Sequence, residues 1–503
     1  MIKYEANFFL FSKKIISHVE NFKINPLVLA LYFFFLISLR EVFEQLFFEK
    51  YYSIYQFMHH FVFDLLVLMA GILIISIIGK IDITKTTLIV SSAFFLIALP
   101  PLVDRFIFLR HTPYEYILPK EFLKNMITFF LFTPKAGRGI LFEIASILVL
   151  ASFYVLIKSH SPLRAILTGI SLYLLVGLSA TPRLVLPIPN MTNLFIFQSR
   201  HIIYFSFYFS LSLILGVFFL YRVNKAIPKA LLRELSSFRT LHFILMVCAG
   251  LYYRKALNFL GFPDFLYASI SIVLIVMLWL STVLINNVYD LPIDKISNPE
   301  RPLVKELINP SVYLNLGIIL SIIALSVSAI LGGLPFALTL TLIFSSLAYS
   351  IPPLRFRNKI FSTLFIGWGS SLAFFIGYFT RTRILEISIT TDALLLALLI
   401  FISFSLGPTA KDLKDYQGDL KNGVKTFFTI YGLERGRQIV SIFLCLSLLT
   451  PLLLFHKIMD IIFFFLVSVL ISLLFCLQGK LIISYLGYGI VFCYCLLRMI
   501  RQI

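Results

Sequence analysis

Charge is scarce in this chain, and negative charge scarcest. Of 503 residues only 13% are charged, with 24 Asp and Glu against 43 Lys and Arg. Hydrophobic residues make up 59% and aromatic residues 16%, and the mean hydropathy is +0.95. That balance excludes a soluble globular chain. Cysteine is scarce as well. Cys248, Cys445, Cys476, Cys493 and Cys495 sit in apolar stretches, and the one close pair, at 493 and 495, has no metal-ligand partner nearby. They read as small core residues, which excludes a disulfide framework and a zinc site. The stretch Met1 to Lys23 lacks a short apolar core followed by a small-residue cleavage site, so no removed signal peptide is expected. Residues 1–235 carry no P-loop, serine elbow or metalloprotease motif, and no catalytic class is assigned to them.

Long apolar runs are abundant. Run after run reaches about 17–22 residues, enough to cross the ~30 Å hydrocarbon layer as a helix. The reading is an all-α, polytopic integral membrane protein with about fifteen transmembrane helices. Six spans fall in the first half, at about 27–46, 57–79, 87–103, 139–157, 163–181 and 201–221. Nine follow, at about 239–255, 265–287, 311–331, 334–350, 360–379, 390–408, 436–455, 458–476 and 481–499. Between them lies a polar, basic connector, 222–239, with Lys225, Lys229 and Arg233. This gives two expected domains: 1–235, a six-span module, and 236–503, a nine-span bundle.

The net charge of +19 is dispersed among short loops rather than gathered on a soluble domain. It therefore reads as positive-inside bias and contact with anionic lipid, and nucleic acid is not an expected partner. With the N-terminus in the cytoplasm, Lys13-Lys14, 79–85, 158–164 and the connector all fall inside. The 104–138 segment falls outside despite Arg105, Arg110, Lys120, Lys124 and Lys135, as long loops are permitted to do. On this assignment the protein lies in the cell membrane.

The few acids are concentrated. Asn286-Asn287-Val288-Tyr289-Asp290-Leu291-Pro292-Ile293-Asp294 follows one apolar run, and Lys411-Asp412-Leu413-Lys414-Asp415-Tyr416-Gln417-Gly418-Asp419 follows another. Asn286, Asp290 and Asp294 at i, i+4 and i+8 share one helix face. Both clusters open to the cytoplasmic side. Five carboxylates at one membrane mouth repel strongly unless something cationic binds them. Mg²⁺ ions bridging them to a diphosphate satisfy both sides, since Mg²⁺ prefers carboxylates plus substrate phosphates to an all-protein cage. Arg301, Lys411, Lys421, Lys425 and the loop from Tyr349 through Arg355 to Arg357 supply cations for the phosphate oxygens. Apolar helices behind that mouth suit a long hydrocarbon tail, and aromatic faces suit an allylic cation left by departing diphosphate.

Residues 239–499 resemble the UbiA superfamily of intramembrane prenyltransferases. The family's N-D-x-x-D-x-x-x-D motif is similar to Asn286, Asp290 and Asp294, with Asn287 where Asp is common. Its D-x-x-D-x-x-x-D motif followed by G-x-x-T is similar to Asp412, Asp415, Asp419, Gly423 and Thr426. Its Y-S-x-P-P-x-R/K loop is similar to Tyr349 through Arg357. Its first-span R-P-x-N is not reproduced, since Arg239-Thr240-Leu241-His242 stands there. The resemblance implies a nine-helix bundle and transfer of a prenyl group from a polyprenyl diphosphate to a hydrophobic acceptor, lipid or aromatic. It implies Mg²⁺ or Mn²⁺ as cofactor, held by Asn286, Asp290, Asp294, Asp412, Asp415 and Asp419, with the five aspartates catalytic. Asn286, Tyr349, Arg301, Arg355, Arg357 and Lys411 would bind the diphosphate. Asn298-Pro299-Glu300-Arg301-Pro302 and 411–426 are most similar to the branch that makes archaeal ether lipids by prenylating geranylgeranylglyceryl phosphate. The chlorophyll, quinone and haem O branches share parts of the pattern.

A second reading is a transporter or lipid-binding protein on a degenerate scaffold of that family. Intact acids at the mouths rather than near mid-membrane weigh against it. In the first half, Arg40, Glu41 and Glu44 either pair within one helix turn or mark a site. His59, His60 and Asp64 are either ligand types or a structural histidine pair.

Overall fold

A computed structural model gives the architecture, and it describes residues 2–48, 53–112, 114–131, 133, 135–184, 186, 194–254, 262–381 and 388–500. Among them every regular element is helical. The chain forms two compact units, Met1–Lys229 and Ala230–Ile503.

The first unit holds α1 (Ile2–Glu20), α2 (Pro26–Phe48), α3 (Ile54–Gly79), α4 (Ile83–Ala93), α5 (Leu99–Phe106), α6 (Phe122–Ile127), α7 (Arg138–Ser159), α8 (Pro162–Ser179) and α9 (Leu194–Val223). Six stretches here are long and apolar enough to cross a membrane, close to the six expected spans. Between α4 and α5 the rod passes through a 3₁₀ turn, Phe94–Ala98, where Pro100 and Pro101 withhold N–H groups from a continuous α-helix. The basic connector folds as the amphipathic helix α10 (Ala226–Leu235).

The second unit contains α11 (Phe238–Arg254), α12 (Phe262–Tyr289), α13 (Leu291–Ser297), α14 (Pro310–Leu331), α15 (Gly333–Ser350), α16 (Leu364–Phe379), α17 (Thr391–Leu406), α18 (Asp412–Lys421), α19 (Phe427–Leu449), α20 (Ile458–Gln478) and α21 (Leu481–Ile500). The nine long helices overlap the nine expected spans, with Phe427–Leu449 starting nine residues before the span expected at 436. Among the described residues twelve helices are long and apolar enough to cross a membrane on their own. The count of about fifteen is reached only by adding α11, α16 and α21; α11 and α16, at 17 and 16 residues, are short of the ~20 a straight span needs. With so many apolar helices the chain is an integral membrane protein.

Small residues let helices close on one another, as they do in lipid, where no hydrophobic force drives helices together. A Cβ at Gly250 of α11 would run into the backbone of Phe374 and Tyr378 on α16. Ser281 of α12 donates to the Gly317 carbonyl of α14 at 2.7 Å. The last three helices close around Phe428, Leu444, Phe464 and Phe475, all buried.

Candidate active site

Both acidic stretches lie where a membrane helix gives way to a short helix. α12 runs to Tyr289, and Pro292 sits in the first turn of α13. The break is small: the Asp290 amide still donates to Asn286 O at 2.8 Å and the Asp294 amide to Asp290 O at 2.9 Å. Asn286, Asp290 and Asp294 therefore stay close to the helical spacing read from sequence. α17 passes through the turn Gly407–Lys411 into α18, which carries Asp412, Asp415 and Asp419.

The two stretches touch. Asn298 Nδ2 donates to Asp294 Oδ1 at 3.0 Å and to Asp415 Oδ1 at 3.1 Å. Ser297 Oγ donates to the Asp415 carbonyl at 3.3 Å. Gly418 permits this approach, since a Cβ there would lie 2.8 Å from Ile293 O and against Ser297 Oγ. The third loop joins them from the side. Arg355, in the left-handed region at φ 32°, donates through Nη2 to Tyr289 O at 2.8 Å and to Asp290 Oδ1 at 3.3 Å. Arg357, 4% exposed, donates to Asp419 Oδ1 at 3.0 Å and holds Nε 3.5 Å from Asp290 Oδ2. It thereby ties one stretch to the other. Two further motif residues do structural work here. Gly423 takes φ +67°, which a side chain would strain, and Thr426 caps α19.

The cations read from sequence as phosphate partners also pair with the acids. Arg301 is ion-paired to Asp294, and Arg355 and Arg357 to Asp290. The reason is electrostatic: carboxylates this close at a membrane mouth recruit whatever cation is in reach. Burial, opposed by the Arg301 charge, pushes the Asp294 carboxyl up to about 6.

Behind the mouth a cavity of 1270 Å³ runs among the helices of this unit. It exceeds the ~300–1,000 Å³ of sites for drug-sized ligands. Of the residues singled out from sequence, Asn286, Asp290, Asp294, Arg301, Tyr349, Arg357, Lys411 and Asp415 line it. Arg355, Asp412 and Asp419 lie outside that wall; Arg355 and Asp419 bond to residues within it. Lys411 Nζ donates to Tyr349 Oη at 3.4 Å. Deeper in, the wall is apolar and aromatic, with Phe243, Trp279, Leu342, Phe365 and Phe404. Sequence reasoning missed Asn298 as a site residue, although at Asp294+4 it continues the helical spacing. It also missed Glu234, which accepts from Asn287 Nδ2 at 3.0 Å and lines the cavity.

The donor set suits a hard cation together with an anion. The wall offers the carboxylates of Asp290, Asp294 and Asp415 and the amide of Asn286, oxygen donors of the kind Mg²⁺ takes. Buried Asp412 Oδ1 and Asp419 Oδ2 have no hydrogen-bond partner among the described residues, and neither have the N–H groups Arg355 Nε and Arg357 Nη1. Among the described residues no three ligating side chains converge on one cation position.

In the first unit the polar residues also cluster. Arg40 pairs with Glu44 at 3.4 Å in its own helix, and with Asp64 at 3.8 Å and Glu143 at 3.3 Å on α3 and α7. His60 Nδ1 lies 3.1 Å from Glu41, and buried His59 shares hydrogen bonds with Tyr116 and His201 at 2.9 and 3.0 Å. The described residues form no metal-ligand group there either.

Comparison with known proteins bears on the second unit. Residues 243–486 match the UbiA prenyltransferase family. The digeranylgeranylglyceryl phosphate synthase of Saccharolobus solfataricus is 31% identical over 169 residues, which are 33% of this chain and 57% of that protein. The 2-acylphloroglucinol 4-prenyltransferase of Humulus lupulus is 28% identical over 199 residues, 37% of this chain and 47% of that one. The chain thus spans about half the length of these relatives. Among solved structures, a UbiA homolog from Archaeoglobus fulgidus bound to DMAPP and Mg²⁺ is similar at a TM-score of 0.40 and 17% identity, covering 52% of this chain and 98% of that one.

Proposed function

We propose, from the premise that residues 243–486 form a UbiA prenyltransferase family domain, that this protein is a Mg²⁺-dependent intramembrane prenyltransferase. It moves a prenyl group from a polyprenyl diphosphate onto a hydrophobic acceptor, of the geranylgeranylglyceryl phosphate type. The observation that carries the reading is the mouth of the cavity, where interleaved carboxylates and guanidiniums stand over an apolar chamber of 1270 Å³. Charge at the mouth takes the diphosphate; the chamber takes the tail.

Asp290 and Asp294 in that mouth are held by arginines, and those arginines by the acids. A magnesium diphosphate is itself a paired cation and anion. When it is bound, Asp290, Asp294 and Asp415 would hold the cation, and Arg301, Arg355 and Arg357 would hold phosphate oxygens. The mouth stays near neutral throughout, which limits the desolvation penalty of buried charge. Mg²⁺ bound there supplies Lewis-acid stabilisation of the charge that develops on the leaving diphosphate. Asp419 holds Arg357 in place at 3.0 Å, and Asn298 keeps Asp294 and Asp415 in register. Lys411 and Tyr349, bonded to each other in the wall, offer an ammonium and a hydroxyl to the same diphosphate. Phe243, Trp279 and Phe404 line the chamber, where apolar walls exclude water and aromatic rings suit a developing allylic cation.

The metals, in this reading, belong to Asn286, Asp290, Asp294 and Asp415, with Asp412 and Asp419 behind them. The site opens to the cytoplasm, as the basic loops favour. The six-span first unit is a module separate from the enzyme. Transfer of label from a prenyl diphosphate into an extractable lipid by the purified protein tests the proposal.

A further inference from the structure

The amphipathic helix α10 precedes the segment matched to the family, yet it reaches into the mouth. Arg233 Nη1 donates to the Glu300 carbonyl at 2.6 Å, so α10 grips the turn that carries Arg301. Beside it, Glu234 Oε1 accepts from Asn287 Nδ2 at 3.0 Å. Asn287 in turn accepts through Oδ1 from Arg301 Nη1 at 2.6 Å, and the same Nη1 is ion-paired to Asp294. Four side chains thus form one line: Glu234, Asn287, Arg301, Asp294. Glu234 is half-buried, lines the cavity, and has its carboxylate pointed at the amide that holds Arg301.

That line poses a problem for any cation. Arg301 Nη1 sits on Asp294 Oδ2 and competes with a metal for that oxygen, so the guanidinium needs a second acceptor to rest on. We infer that Glu234 is a positioning residue that draws Arg301 toward Asn287 and off Asp294, freeing Asp294 for the metal. The inference rests on the prenyltransferase reading and adds to it a residue from outside the matched segment. Asn287 relays the effect because an amide accepts from Arg301 on one side while donating to Glu234 on the other. Negative charge at Glu234 polarises that amide and strengthens its hold on the guanidinium.

The test measures Mn²⁺ binding to the full-length protein in lipid nanodiscs by electron paramagnetic resonance, with inorganic pyrophosphate present and without prenyl donor or turnover. Glu234→Gln keeps the shape and the acceptor oxygen and removes the charge. It is expected to weaken Mn²⁺ binding about tenfold, within the range usual for coupled sites. Arg301→Gln removes the competitor, so adding it to Glu234→Gln is expected to restore binding to the level of Arg301→Gln alone. That recovery also shows the double variant is folded. Glu234→Asp, which retains a carboxylate, is expected to stay within about threefold of wild type. Wild-type affinity in Glu234→Gln overturns the inference and leaves the enzyme reading standing. An equal loss in both Arg301 backgrounds overturns it too, because Glu234 then does not act through Arg301. Absence of Mn²⁺ binding by the wild-type protein overturns the reading itself, and the inference with it.

Discussion

Gly418 offers the sharpest test of how the two acidic stretches are joined. It sits on α18 where that helix lies against α13, and a Cβ there would meet Ile293 O at 2.8 Å. Ordinary contact begins near 3.4 Å, so Gly418→Ala must push the helices apart by about 0.6 Å. Added to the 3.1 Å between Asn298 and Asp415, that shift gives about 3.7 Å, beyond hydrogen-bond range. The 3.3 Å bond from Ser297 to the Asp415 carbonyl fails with it. Losing one charged and one neutral hydrogen bond is worth on the order of 2 kcal/mol, or roughly thirtyfold in rate. Prenyl transfer and Mn²⁺ affinity are measured on folded protein, with Gly423→Ala as the comparison. Gly423 has φ +67° and open space where a methyl would go, so its variant loses about 1–2 kcal/mol of stability to backbone strain and holds its rate within about threefold. A Gly418→Ala protein with wild-type rate and metal affinity refutes the reasoning, as does an equal rate loss in both variants.

Further predictions concern single charges. Asp290→Asn removes a hard anionic ligand and leaves Arg355 and Arg357 without their shared partner, so it is expected to lower the rate by well over roughly a hundredfold. Arg355→Lys keeps the charge and loses only the fork, an effect of about tenfold, or ~1.4 kcal/mol; steady-state kinetics at saturating Mg²⁺ separates the two. Because the Asp294 carboxyl is pushed up to about 6 from 3.8, it holds its proton below that pH and must release it to take a metal. The Mg²⁺ concentration for half-maximal activity is therefore expected to rise as pH falls from about 7 to about 5. The sign for the metal-free fold is opposite: the stability from burying the neutral acid is present below 3.8 and lost as pH rises through about 6. Thermal unfolding in EDTA across that window reads it.

The membrane fold was legible because length and apolarity decide it, and most expected spans sit close to observed helices, though 436–455 is met by Phe427–Leu449 and 87–103 by a broken rod. The acid positions were legible for a related reason: i, i+4, i+8 spacing survives the break at Asp290, since two backbone hydrogen bonds carry the turn across it. The ion pairing was not legible. Nothing in the spacing of Arg355 and Arg357 says that a left-handed residue would aim one guanidinium at Asp290 while its neighbour bridges to Asp419. Nor did the connector announce its part. Its basic, polar composition reads as a linker, and only the fold places Glu234 beside Asn287. Contacts between residues 53 or 117 positions apart carry no local signal.

The most direct measurement supplies purified protein in a bilayer with labelled polyprenyl diphosphates of several lengths, a membrane lipid extract and Mg²⁺. The account predicts that label enters a new extractable lipid, that diphosphate is released in equal amount, and that excess EDTA stops both. Full transfer in excess EDTA contradicts the metal-dependent reading. Movement of intact prenyl diphosphate across the bilayer, with no new covalent product, contradicts the enzyme reading and favours a transporter.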